Sequence, residues 1–126
     1  MGYYTEYILT MRNFSQNDSN GDYELARVSK DVFLDIAKYI YEYISYDFLS
    51  FEEECCFEGH CKWYEHDEDM CSLSMKFPNI LFELTGNGEA PHDLWKTYYL
   101  NGCMQHCPAT IKFDTFSLSK LKKKIF

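Results

Sequence analysis

Two clusters of soft ligands stand out in the chain: Cys55, Cys56, His60 and Cys61, and further on Cys103, His106 and Cys107. Structural zinc sites are built by drawing four thiolates and imidazoles from two such clusters. Neither cluster, however, has clean C-x2-C spacing. The second also falls on an expected strand, where alternation sends Cys103 and Cys107 to one face and His106 to the other. Cys56, His60, Cys61, Cys103 and Cys107 are therefore weak metal candidates. The plainer reading has the cysteines reduced and packed as small hydrophobes. The expectation is no cofactor, with zinc the one to test.

A second set joins imidazole to carboxylate: Glu65-His66-Asp67-Glu68-Asp69, with His92 and Asp93 further along. A histidine beside an acid can move protons. Yet no nucleophile elbow, phosphate loop or H-E-x-x-H accompanies these groups. The acids have a simpler use at the positive end of a helix. No catalytic residue is assigned, and a His66- or His92-based enzyme ranks third among the functions.

The third set is a surface. Trp63, Tyr64, His66, Glu89, Asp93, Trp95 and Gln105 combine aromatic anchors with acids and an amide, the chemistry of protein interfaces. Trp63 and Trp95 fit a core equally well. A protein partner is the first reading. A small nucleotide-like ligand, stacked on aromatics and held by the loop Gly86–Glu89, is the second.

Charge narrows the partners. The chain carries 12 basic and 20 acidic side chains, but four of the lysines (Lys120, Lys122, Lys123, Lys124) crowd the last seven positions. Residues 1–119 thus set 8 bases against 20 acids, a body that repels phosphate backbones and disfavours direct nucleic-acid binding. At 126 residues with 46% apolar side chains, a single globular domain over 1–119 with a basic tail over 120–126 is expected. No apolar run is long enough to span a membrane and no leader pattern opens the chain, so a cytoplasmic protein with reduced thiols and no membrane partner is expected. Its oligomeric state is open, with a homodimer among the choices.

The elements that must position these residues can be read from periodicity. Gly2 to Asn13 alternates as a strand that buries Tyr7, Leu9 and Met11. Ser15 to Asp22 reads as a polar loop. Lys30 to Ser45 places Val32, Phe33, Ile36, Tyr39, Ile40, Tyr43 and Ile44 on one helical face, with Ser29 as N-cap. Asp47 to Cys61 gives no clear period. A second helix is expected over 65–77, stopped by Pro78, with Met70, Leu73 and Phe77 as its buried edge. Three strands follow, over 79–84, 92–100 and 103–113, joined by turns at Asn87-Gly88 and Asn101-Gly102. Pro108 demands a bulge or an edge. The sum is an α+β fold: one antiparallel sheet of four or more strands with two helices on one face, and a second face left partly open, rich in Tyr, Trp and His.

The segments KWYEHDEDM (62–70), LFELTGNGE (81–89), DLWKTYYLNGCMQ (93–105) and IKFDTFSLSKL (111–121) together form a pattern. It resembles a group of small proteins of phages, bacterial prophage regions and large DNA viruses, with K-W-Y-x-H-x-x-D-M, G-x-G-E, D-x-W and Y-x-x-G-x-x-Q. Those also tend to open on an M-G-Y-x-T-x-Y strand, as Met1 to Tyr7 does. The likeness covers residues 1–10 and 62–121, while 13–61 is individual. Cys103 stands where the pattern is usually basic. The resemblance implies an accessory protein of viral or prophage origin that binds a host or viral macromolecule, a role suited to countering host defence. It implies no reaction.

Overall fold

The computed structural model describes residues 2–17, 21–44 and 47–124. Its organising element is β1, Thr5–Gln16, in which Thr5, Tyr7, Leu9 and Met11 are buried while Glu6, Ile8 and Arg12 face outward. Three strands pair with β1, all antiparallel. β5 (Ile80–Gly88) lies along one side; β4 (Cys56–Cys61) and then β2 (Tyr23–Ala26) lie along the other. β3 (Leu49–Phe51) continues the sheet beyond β4, and β6 (Leu94–Leu100) and β7 (Cys103–Pro108) continue it beyond β5. The order is β3-β4-β1-β5-β6-β7, with β2 beside β1, which makes seven strands among the described residues.

Two helices cover one face. α1 (Lys30–Tyr39) starts at Ser29, whose hydroxyl accepts the Val32 N–H at 3.4 Å, and Asp31 complements the helix dipole. Its last turn widens into π geometry over Ile40–Ile44, with both isoleucines buried. α2 (His66–Lys76) has Asp67, Glu68 and Asp69 in its first turn and Lys76 in its last. The Phe33 ring of α1 stacks on Phe57 of β4, centroids 5.0 Å apart, and Ser74 of α2 accepts the Gly102 N–H at 2.8 Å. Across the sheet, Phe57 lies opposite Leu9, Leu9 opposite Leu84, and Phe82 opposite Tyr99, so these contacts share a face. Trp63, Met70 and Leu73 complete the core between sheet and helices. The fold is α+β, as the periodicity predicts.

The differences lie mostly where local signals compete with pairing. The polar loop over 15–22 is shorter than expected: β1 runs on to Gln16, β2 begins at Tyr23, and Phe14 stacks on Tyr23 at 5.7 Å. Residues 18–20 of that loop lie outside the described residues. The unreadable stretch 47–61 supplies two strands. Its alternation is broken because the consecutive residues Cys55 and Cys56 are both buried, Cys55 at φ +49° after a 3-10 turn over Glu52–Glu54. Asn87-Gly88 does not form the reversal. β1 holds both residues in the sheet, opposite Glu6 and Thr5, and the chain turns over residues 89–93 instead, where Asp93 O accepts the Gly88 N–H at 2.8 Å. Asn101-Gly102 does turn, at φ +46° and +81°. The last strand stops at Pro108 rather than 113, on the edge that a proline permits. Beyond it, residues 109–124 are exposed apart from half-buried Ser117.

Candidate functional site

The helix-covered face holds both tryptophans with His66 and His106, which were expected on the open one. Trp63 is 1% exposed, wedged edge-on against Tyr7 and Phe48, and its indole N–H donates to Asp69 at 2.7 Å. It belongs to the core, not to a binding surface, because it sits where the chain enters α2 and closes one end of the apolar layer. Trp95 is half-buried between two imidazoles: His66 stacks on it at 4.9 Å and His106 lies tilted at 5.6 Å. Trp95 sits opposite Gly86, where any side chain would collide with the indole.

Around this stack the polar groups satisfy one another. Asp67 accepts the Tyr99 hydroxyl at 2.5 Å and lies 3.1 Å from His66 Nδ1; Thr97 and His106 Nδ1 are 2.8 Å apart. Burial, and then Asp67, raise the Tyr99 phenol far above its ordinary value. Burial followed by Asp67 also raises the Cys71 thiol one turn along α2. A raised thiol is the opposite of what a nucleophile needs. The cluster therefore has an orienting carboxylate and imidazoles, without an activated attacking group.

Tyr64, Glu89 and Asp93 do come together, as a clamp on the start of β1. Tyr64 is 67% exposed, yet its hydroxyl accepts the Tyr3 N–H at 2.9 Å. Glu89 accepts the Tyr4 N–H at 3.2 Å, and Asp93 accepts the Tyr3 hydroxyl at 2.6 Å. That hydroxyl in turn accepts the Ala90 N–H. These three residues have structural partners; their signal in the sequence was polarity alone. His92 occupies the exposed turn between them at φ +67°.

Gln105 alone of the seven surface candidates lies on the helix-free face. There it lines a groove of about 510 Å³ with Thr10, Arg12, Phe14, Tyr23 and Tyr98. Glu83 and Lys96 pair on the same face at 2.7 Å. A second groove, about 430 Å³, runs between β1 and β3–β4 and is lined by Glu6, Ile8, Asp47, Leu49, Glu58 and His60. Lys62 lies beside it, 4.9 Å above the Tyr4 ring. Tyr23, Leu25 and Leu49, central to these two grooves, were missed because β2 and β3 were not legible.

The two soft-ligand clusters are far apart. Cys56, His60 and Cys61 are on β4, and Cys103 and Cys107 on β7, with β1, β5 and β6 between. Four strand spacings of about 4.8 Å put them roughly 19 Å apart, so no single ion reaches both. Within β4, alternation puts Cys61 on the helix-covered face and Cys56 and His60 on the other, where Cys56 is nonetheless buried. On β7, His106 faces Thr97 on the helix side and Cys103 and Cys107 take the other face. Among the described residues no group of three His, Cys, Asp or Glu side chains is placed to hold a metal ion. Burial raises the thiols of Cys56 and Cys61.

No helix among the described residues is long and apolar enough to cross a membrane. No protein-family model, curated protein or solved structure matches this chain.

Proposed function

We propose that the protein is a small acidic accessory protein of viral or prophage type that acts by binding a host or viral macromolecule rather than by catalysis. The observation that carries the reading is the helix-free face of the sheet. Tyr23 and Leu94 are each at least two-fifths exposed there, beside Tyr98 and Gln105 and interleaved with Arg12 and Glu83. Apolar and aromatic anchors ringed by charge are the make-up of an interface core and rim. The imidazole cluster supports the same reading from the other side, since its polar groups are spent on one another.

Leu94→Asp combined with Tyr98→Asp tests this. Leu94 is exposed and Tyr98 half-buried opposite Glu83, so the pair should cost about 1–2 kcal/mol and leave a cooperative melting transition. Biological effect and partner capture should be lost, while His66→Ala and His92→Ala keep both. Retention of effect by the double Asp variant, or its loss in either His variant, overturns the reading.

A second reading, a small nucleotide-like ligand, rests on the 510 Å³ groove, where Phe14, Tyr23 and Tyr98 offer stacking surfaces beside Arg12. Native mass spectrometry after gentle purification separates the two: extra mass of a few hundred daltons per chain favours the ligand, and a bare chain the macromolecule.

A further inference from the structure

The segment after β7 departs from the rest of the molecule in two respects. Residues 109–126 carry five lysines against Asp114, whereas residues 1–108 carry seven basic against nineteen acidic side chains. The segment also leaves its large apolar groups in water: Ile111 is 57% exposed, Phe113 86%, Phe116 76%, Leu118 75% and Leu121 63%. Isolated exposed apolar side chains are ordinary, but five within eleven positions are a contiguous apolar stretch that a monomer rarely leaves uncovered. The main-chain bond that ties the segment to the body is early, Ala109 N–H to Leu94 O at 2.9 Å. Lys120 pairs with Asp114 of its own segment, at 3.6 Å.

A complementary surface lies at the other edge of the sheet. The groove between β1 and β3–β4 has an apolar floor of Ile8 and Leu49, 43% and 68% exposed, and walls of Glu6, Asp47 and Glu58. No lysine or arginine lines it. Apolar side chains alternating with lysines fit this groove in both shape and sign. The segment leaves from β7, five strand spacings or about 24 Å from β3, and its large apolar groups among the described residues each stay more than half exposed. Extended, sixteen residues reach about 50 Å, enough to cross onto a neighbouring molecule.

We propose that the acidic apolar groove between β1 and β3–β4 receives the basic apolar segment 109–124 of a second copy of this chain, and that reciprocal exchange of the two segments closes a symmetric dimer. Each copy donates one segment and accepts one, so the contact closes on itself and does not propagate. The groove lined by Tyr98 and Gln105 is left for an outside partner. This inference therefore does not rest on the function proposed above.

The test is sedimentation of the full chain, of a chain ending at Ala109, and of each with Glu6→Lys and Glu58→Lys. The full chain should be a dimer at micromolar concentration. The truncated chain should be a monomer that melts at the same temperature, and the lysine pair should weaken dimerisation at least about tenfold. A synthetic peptide of residues 110–124 should bind the truncated chain one to one, and more weakly as salt rises. A monomeric full chain, a dimer that survives truncation, or peptide binding indifferent to the two lysines overturns the proposal. A monomeric full chain whose truncated form still binds the peptide would show closure within one molecule, which also overturns it.

Discussion

Tyr99 shows how a single polar group is made safe in this core. Its ring is fully buried opposite Phe82, and its hydroxyl ends on Asp67. Desolvation and the neighbouring carboxylate both favour the neutral phenol, so its folded pKa lies above the unfolded value of about 10. A raised folded value gives stability that is complete below about pH 10 and is lost as pH climbs beyond it, because the unfolded phenol then ionises and the folded one resists. Tyr99→Phe should cost about 1 kcal/mol at neutral pH, the worth of one hydrogen bond. It should also flatten the alkaline fall in stability seen by denaturant titration between neutral pH and pH 11. The fall should not vanish, since Tyr3, bonded to Asp93, and Tyr39, by burial, are raised too. An alkaline limb unchanged by the substitution would mean that neither burial nor Asp67 holds the phenol neutral.

Among the elements, legibility followed the range of the forces. α1 could be read through Ser29 and the spacing of Phe33, Ile36 and Ile40, because a helix is satisfied within its own turns. α2 could be read from its acids and Pro78, and the Asn101-Gly102 turn from its own φ angles. β3 and β4 could not, because what fixes them is distant: β4 exists by pairing with Thr5–Thr10, and consecutive buried cysteines erase its alternation. For the same reason Trp63, His66 and Trp95 were expected on a face they do not occupy. Trp63 and His66 look like surface anchors in a string of acids, and nothing local says that Tyr7 and Phe48 will close over the indole. Gln105 lies on the helix-free face because β7 alternates and sets it opposite Tyr98. β4 also carries a close fit against a core ring. A Cβ on Gly59 would lie 2.6 Å from the Phe48 ring, so Gly59→Ala should destabilise by about 1–3 kcal/mol through overpacking and lower the melting temperature. A neutral result would show that Phe48 swings aside without cost.

At the scale of the whole molecule, the sheet has two unlike faces and the chain two unlike ends of its charge range. One face is sealed by α1 and α2 over a continuous core. The other keeps two grooves in water, one mixed in charge and one wholly acidic but for His60. The acidic body does not by itself specify a partner. The basic apolar segment gives that body something it can recognise, and the truncation and lysine variants described above probe this large-scale asymmetry.

The central place of β1 also has a temporal consequence. Its residues leave the ribosome about eighty positions ahead of the β5 residues that must flank them, as the pairing of Thr5 with Gly88 requires. Until then, an apolar strand made of Tyr7, Leu9 and Met11 has at most its β2 hairpin and, later, β4 to lean on. Closing so long a loop is entropically slow, and the fold gains little before it closes. Refolding from denaturant should therefore take milliseconds to seconds, in the range of non-local β proteins, and not the microseconds of a helical bundle of this size. Stopped-flow fluorescence of Trp63, buried only when β1 and α2 meet, would time that event. In the cell, the nascent chain carries its sheet's future centre unpaired on one side until β5 emerges, which makes β1 the segment with most need of a holding chaperone.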